Sequence, residues 1–385
     1  MPTGSALLLG DLDVAYPLRA AGIPVTVVRS RRDPTRFSRT GISWVERPAD
    51  AAALVSTLVE AARAMPGPVV LYVQDDEPLQ YVSDHREELA PWMRFLLPVP
   101  EVLDACLDKW AFQQLAEEQG LPVPETRVLS TDATAVPFAL QGSASLVKPL
   151  QWRRAERADV MGGTKAIAVA NAQECLAVLR RLAPVYERVL VQQLIPGPET
   201  KVESYHAYVD ADGRVRGEFT GRKLRTAPAE FGYSTALTTT GATDVRRLGR
   251  QVVGALDVRG FVKVDCKRDP DGRLWLLEVN PRTNLWHRLG AVAGCNLPAL
   301  AFADLTDGAD AGPPPVARTG VTWSRQPRDL FVAHHDGVPL YRYLSWLARC
   351  DAVTGLRLTD PWPFVRGGLL PYASRSLKAT LGRPS

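Results

Sequence analysis

The stretch FVKVDCKRDPDGRLWLLEVNPR, Phe261 to Arg282, holds the residues best suited to chemistry. Residues two apart in a strand share a face, so Glu278, Asn280 and Arg282 point the same way. The DPDG segment, Asp269 to Gly272, is a hairpin signal. If the hairpin closes around Asp271 and Gly272, Asp265 lies about opposite Glu278. Two carboxylates and an amide oxygen then converge, which is self-repelling unless a cation sits among them. Oxygen-only ligands suit Mg²⁺, which takes one or two carboxylates and completes its shell with substrate phosphates. The triplet therefore implies a metal nucleotide, with Arg282 placed to grip an anion beside it. Apolar residues on both faces (Leu274, Trp275, Leu276, Leu277, Val279) predict a central strand, where Glu278 and Asn280 without a partner would cost several kcal/mol. Lys263 shares the face of Asp265 and reads either as a neutralising charge or as a rim lysine.

The elements that must position these residues follow from the hydrophobic pattern. Strand-like runs at Ala6 to Leu9, Val25 to Val28 and Val69 to Val73 alternate with helical patterns at Ala15 to Ala21 and Ala49 to Ala64. This βαβ alternation predicts a parallel sheet covered by helices. No GxGxxG follows the first strand, so the dinucleotide fingerprint is absent. Asp104 to Gln119 reads as one helix stopped by Gly120. From Ser145 onward the signals become strand-rich, with a helix at Arg246 to Leu256. AGPPPVA, Ala311 to Ala317, reads as a linker, and a tail with helix signals at Leu340 to Ala348 follows.

Composition narrows the function classes. The 385 residues are 46% hydrophobic and 23% charged, which is ordinary for a folded chain of two or three domains. The net charge of +4 is small for this length and gives no reason to expect nucleic acid as a partner. No apolar run spans a bilayer, and the first ten residues lack the basic region of a signal peptide. The five cysteines show neither a disulfide framework nor a metal-ligand spacing, so a cytoplasmic setting is expected.

The order of further segments extends the picture. These are DKW at Asp108 to Trp110, LVKP at Leu146 to Pro149, MGGT at Met161 to Thr164, VQQLIPGPE at Val191 to Glu199, GRKLR at Gly221 to Arg225, and then Asp265 with EVNPR at Glu278 to Arg282. Together they resemble the ATP-grasp superfamily over about Pro98 to Leu305. GRKLR, the first hundred residues and the tail are most similar to the D-aspartate-ligase-like branch of the carboxylate–amine ligases. The resemblance implies an α/β and α+β chain in four parts. These are a βαβ pre-ATP-grasp domain (1–100), a small ATP-grasp lobe (101–190), a catalytic lobe (191–310), and a linker with a C-terminal extension (311–385).

The resemblance also implies roles. Lys109 and Lys148 would contact nucleotide phosphates, and Gly162 with Gly163 would form the loop that covers them. Gln192, Gln193 and Leu194 would sit at the adenine edge, with Gln192 standing where glutamate is frequent. Glu199 would hold the ribose and Lys223 the terminal phosphate. Asp265, Glu278 and Asn280 would ligate Mg²⁺, two ions being expected, and Arg282 would hold the acyl phosphate. Arg222, Arg225, Tyr233, Ser234, Thr235, Asn284 and His287 are expected around the substrates; His206, His334 and His335 read as satisfied polar residues. The activity so implied is ATP-dependent amide or peptide bond formation through an acyl phosphate, releasing ADP and phosphate. The partners would be a small carboxylate and an amine, amino acids or a small peptide, and a homodimer is a further expectation. The alternatives are a bicarbonate-using carboxylase or carbamoyl-phosphate-type enzyme, and a nucleotide-binding regulator without turnover.

Overall fold

The structure, a computed structural model, describes residues 3–136, 144–150, 166–229, 231–306, 313–355 and 359–366. The first unit is built from β1 (Ser5–Leu9), α1 (Leu12–Ala20), β2 (Val25–Arg29), β3 (Ile42–Glu46), α2 (Leu54–Arg63) and β4 (Val69–Val73). The sheet order is β3-β2-β1-β4, all parallel. β1 and β4 are buried along their whole length, as expected of strands covered on both faces. Only β3 lacks a signal in the reading above. It is an edge strand with a half-exposed pattern.

Helices α3 (Asp76–Asp84), α4 (Arg86–Leu89), α5 (Pro100–Leu107) and α6 (Lys109–Glu118) follow. The single helix expected over Asp104 to Gln119 is therefore two. Asp108 adopts an extended conformation, and its Oδ1 accepts from the backbone N–H groups of Trp110 and Ala111, both at 2.8 Å. An aspartate that caps a new helix in this way competes with continuation of the old one. The break puts Lys109 at the start of α6.

The middle unit holds β5 (Thr126–Ser130), β6 (Ser145–Pro149), β7 (Ile167–Val169), α7 (Ala172–Leu182) and β8 (Arg188–Gln193), an antiparallel sheet of order β5-β8-β6-β7. β8 runs across residues 190 and 191, where two lobes were expected to meet.

The third unit comprises β9 (Val202–Val209), β10 (Val215–Ala227), β11 (Tyr233–Thr240), α8 (Thr243–Ala255), β12 (Gly260–Arg268), β13 (Leu274–Asn280), α9 (Trp286–Val292) and α10 (Leu297–Thr306). Beyond residue 313 come β14 (Thr322–Arg325), α11 (Arg328–His335), α12 (Leu340–Leu347) and β15 (Ala352–Thr354). The seven-stranded sheet has the order β13-β12-β9-β10-β11-β14-β15. β14 and β15, from the expected extension, thus continue the sheet of the third unit. α8 packs Val245, Val252 and Val253 on one sheet face against Tyr205, Val262 and Val264. The other face lies under α9 and α10 and shares one core with β1 and β4 of the first unit, through residues such as Ala6, Tyr72, Phe219 and Trp286.

The position of β13 departs from expectation. It is the edge of the sheet, not a central strand, and Glu278 is exposed. Its outer edge meets the segment before β5, where the Leu276 N–H donates to the Pro122 carbonyl at 2.7 Å, and its buried Leu276 and Val279 join the core under α8. The burial cost argued for Glu278 from the sequence therefore does not apply to it.

Contacts tie the last unit to the first. Arg325 reaches Asp11 at 2.7 Å and Asp13 at 2.9 Å. The buried Asp360 carboxylate accepts from the Tyr16 hydroxyl at 3.0 Å and the Arg39 N–H at 3.1 Å. No single helix among the described residues is long and apolar enough to cross a membrane.

Candidate active site

The hairpin of β12 and β13 closes as the DPDG turn predicts. Gly272, at φ +86, donates to the Asp269 carbonyl at 3.1 Å, a conformation that glycine adopts without strain. The register then pairs Asp265 with Glu278 and Lys263 with Asn280. On the same side of the adjoining strand, Ser204 stands opposite Asp265 and His206 opposite Lys263. The Asp265 carboxylate is buried, accepting from the Ser204 hydroxyl and the Lys263 ammonium. Burial raises its proton affinity, and the Lys263 charge opposes that rise. Lys263 is thus a counter-charge to Asp265 and not a rim lysine. Asn280 Nδ2 donates to Glu278 Oε1 at 3.1 Å.

Above this set opens a cleft of about 890 Å³, its open mouth included, between the middle sheet and the seven-stranded sheet. Lys109, Lys148 and Lys223 line it, as do Gln192, Gln193 and Leu194. Glu199, Asp265 and Glu278 complete the predicted residues found there. Nine side chains from five separate segments therefore meet where the sequence order placed them. Lys148 donates to Gln192 Oε1 at 2.7 Å, and Gln192 Nε2 donates to Thr126 Oγ1 at 2.9 Å. Burial pushes the Lys148 ammonium down to about 8. The neighbouring Lys109 charge adds to that, and Glu278 and Glu199 oppose it. Lys109 donates to the Pro149 carbonyl at 2.9 Å. Lys223 and Glu199 form an ion pair at 3.2 Å. The Gln193 and Leu194 N–H groups donate to the carbonyls of Glu125 and Ala144, at 2.7 and 2.9 Å. Gly162 and Gly163 lie outside the described residues.

Arg282 sits at the edge of this centre. Its Nε donates to Asp76 Oδ1 at the start of α3, and its Nη2 donates to Asn280 Oδ1 at 3.2 Å. The first unit thus reaches the oxygen set through one ion pair. Asp76 carried no signal in the sequence, since its role depends on two units meeting. Ser204 and Thr126 were likewise missed, and only strand register could have found Ser204.

Of the seven residues expected around the substrates, none lines the cleft, and Tyr233 lines a cavity beside it. Arg222 is exposed on β10. Arg225 grips the buried Asp329 carboxylate with two bonds, at 2.8 and 2.7 Å, and lies over the Trp346 ring. Thr235 donates to the same carboxylate at 2.9 Å, and Ser234 is buried opposite Thr226. A register shift in β10 between Lys223 and Arg225 separates the lysine in the cleft from the arginine that pairs with Asp329 of α11. Asn284 Oδ1 accepts from the Trp286 N–H at 3.0 Å, within the turn that enters α9. His287 is fully buried against Phe261. His206 is stacked on Phe219 with ring centroids 4.6 Å apart. Neither ring has a hydrogen-bond partner among the described residues, so His206 is not the satisfied polar residue expected.

The chemistry of the donor set can be tested against a metal. Among the described residues no group of three His, Cys, Asp or Glu side chains is placed to hold an ion. Asp265, Glu278 and Asn280 offer oxygen atoms only, two of them from carboxylates, and the rest of a shell would come from water and phosphate. That set fits a hard divalent cation such as Mg²⁺ and does not fit a soft one.

No protein-family model matches the chain. Among curated proteins, the D-aspartate ligase of Enterococcus faecium (strain Aus0004) is 24% identical over 237 residues, 58% of this chain and 56% of that one. The D-alanine–D-alanine ligase of Stutzerimonas stutzeri (strain A1501) is 27% identical over 216 residues, 54% of this chain and 66% of that one. The match therefore spans between half and two thirds of these relatives' length. Among solved structures, the L-amino acid ligase from Bacillus licheniformis superposes with TM-score 0.59 at 13% identity, covering 82% of this chain and 76% of that one. An ADP complex of N5-carboxyaminoimidazole ribonucleotide synthetase gives TM-score 0.60 at 13% identity, with 84% and 81% covered.

Proposed function

We propose that this chain, which has the ATP-grasp fold shared by those structures, is an ATP-dependent carboxylate–amine ligase. The observation that carries the reading is the convergence of three lysines and the Asp265–Glu278 pair on one cleft. The two curated relatives named above are ligases that join amino acids by name, and the acid and amine here are proposed to be amino acids or a small peptide.

A carboxylate is a poor electrophile because its leaving group would be oxide. Transfer of the γ-phosphoryl group of ATP to that carboxylate makes an acyl phosphate, whose leaving group is phosphate. The protein's share of this work is positioning and charge stabilisation. Lys148 from the middle sheet and Lys109 from the start of α6 hold phosphate oxygens. Lys223 releases Glu199 and turns to the terminal phosphate, which frees Glu199 for the ribose hydroxyls. Gln192, Gln193 and Leu194 form the wall at the base. Asp265, Glu278 and Asn280 would hold Mg²⁺, two ions by expectation, and that cation supplies charge neutralisation on the phosphates. Arg282 holds the acyl group's oxygens and stabilises the oxyanion that amine attack creates. Gly162 and Gly163 are assigned the loop that keeps water from the acyl phosphate. The four-part division is retained with its second boundary moved beyond Gln193, so that β8 stays whole. A cytoplasmic setting accords with five cysteines that are all free thiols.

The test is a screen with Mg-ATP and the twenty L-amino acids, D-alanine and D-aspartate as acids, offered first to hydroxylamine and then to one another. Phosphate and ADP release that requires both an acid and an acceptor supports the reading. Release of AMP and pyrophosphate would falsify the acyl-phosphate route, and release driven by bicarbonate alone would favour the carboxylase alternative.

A further inference from the structure

We propose that Asp76 is a catalytic residue of the ligase reaction, accepting the proton that the attacking amine loses, and that the chamber it faces admits that amine. The inference rests on the ligase reading.

Beyond the oxygen set lies a second cavity of about 1400 Å³, its open mouth included. It shares Lys109 and Glu278 with the nucleotide cleft, so the two cavities meet at the proposed phosphate and cation site. Its walls come from α3, from the junction of α5 and α6, from Tyr233 and from the end of β13. Four carboxylates, Asp76, Asp104, Asp108 and Glu278, face it against two cationic side chains, Lys109 and Arg282. Such a lining favours a cationic visitor, and an amine substrate arrives largely as its ammonium.

Amide formation from an ammonium must dispose of two protons: the first passes to solvent before attack and frees the nitrogen lone pair, and the second is lost once the C–N bond has formed. The nitrogen lone pair forms the C–N bond, and the carbonyl π pair moves onto oxygen beside Arg282. That pair then restores the carbonyl while the bond to phosphate breaks with its electrons. The nitrogen is left with one hydrogen too many, and a base near Arg282 must take it.

Among the described residues the candidates are few. His206 and His287 are wholly buried. Asp265 is held by Ser204 and Lys263, and Glu199 by Lys223 on the nucleotide side. Glu278 belongs to the oxygen set. Asp108 caps α6, and Asp104 accepts the Gln80 amide at 2.9 Å. Asp76 remains. One of its oxygens contacts Arg282 and its side chain is 58% exposed. It therefore touches the group that holds the acyl oxygens and can pass the proton on to water.

The test compares Asp76→Asn and Asp76→Glu with the native chain, using the acid and amine found in the screen. Asparagine keeps an oxygen to accept from Arg282 but takes no proton. Hydroxylamine attacks as the neutral base, and its adduct is acidic enough to lose a proton to water unaided. With the amine, Asp76→Asn is expected to lose about 100-fold or more in turnover. Hydroxamate formation should stay within about threefold, and Asp76→Glu should recover much of the amine reaction. Equal loss with both acceptors would mean that Asp76 acts only through Arg282, and undiminished amine turnover would exclude it; either overturns the proposal while leaving the ligase reading intact. A native chain that yields neither hydroxamate nor acid-dependent ADP removes the ligase reading and this inference together.

Discussion

The Lys148 ammonium donates to the amide oxygen of Gln192 at 2.7 Å and to no carboxylate among the described residues. Its nearest strong acceptor is neutral, and burial holds its proton affinity down, to about 8. Phosphate oxygens would stabilise the charged form. ATP binding about one pH unit above that value should therefore take up a proton, and affinity should weaken as pH rises through it. Calorimetry in buffers of different ionisation enthalpy measures the uptake. Lys148→Met should abolish it and Gln192→Glu should reduce it; no uptake in the native chain would remove Lys148 from the phosphates.

Asp265 and Glu278 are register partners with opposite environments, one buried and one exposed. Glu278→Gln should leave thermal stability within about 0.5 kcal/mol, as for most surface changes. Turnover should fall about 100-fold or more, and more Mg²⁺ should be required. Asp265→Asn should lose as much turnover and also stability, since Lys263 is left without its carboxylate. Undiminished turnover in a folded Glu278→Gln protein would sink the cation assignment.

Arg225 is predicted to act on stability and not on substrate. Its partner Asp329 is fully buried and also accepts from Thr235, Ser324 and Tyr343. Arg225→Met leaves that carboxylate without its cation and should cost about 3 kcal/mol in denaturant unfolding. The KM values for acid and amine should not move. A selective rise in one of them would return Arg225 to the substrate site.

The two buried histidines give a pH dependence of known sign. Burial lowers the proton affinity of His206 well below the ordinary range and that of His287 to about 3. The native rings stay neutral while the unfolded chain takes up protons below about pH 6.5. Stability should thus fall as pH drops from there towards 3, by about 1.4 kcal/mol per pH unit for each ring. His287→Leu should remove one ring's share of that slope in unfolding curves at successive pH values. An unchanged slope would show that the ring is protonated in the native state.

The sequence carried much of the site because its chemistry is local and ordered. The DPDG turn and alternation alone placed Asp265 opposite Glu278, and the register agrees. Lys109, Lys148, Glu199 and Lys223 are found in the cleft that the order of segments implied. What was illegible depends on long-range packing. The apolar content of β13 read as a central strand, but its outer edge is met by the segment before β5 and not by another strand. Arg225 and Thr235 looked available because Asp329, about a hundred residues later, could not be paired with them by spacing. Asp108 read as mid-helix because helical periodicity does not register a cap. Asp76 was invisible until two units were seen to meet at Arg282.

The late origin of β14 has a consequence for synthesis. β11 finds its outer neighbour only in residues 322–325, and Trp323 and Ala352 complete the core around Phe219 and Leu237. A nascent chain that has emerged only as far as β13 therefore already holds every residue of the oxygen set. Its β11 edge still lacks a partner, and its apolar floor lies open. Such an edge invites pairing with other chains. Residues 322–354 thus act as a seal applied after the working parts are made, and versions of the protein that lack them should be sticky before they are inactive.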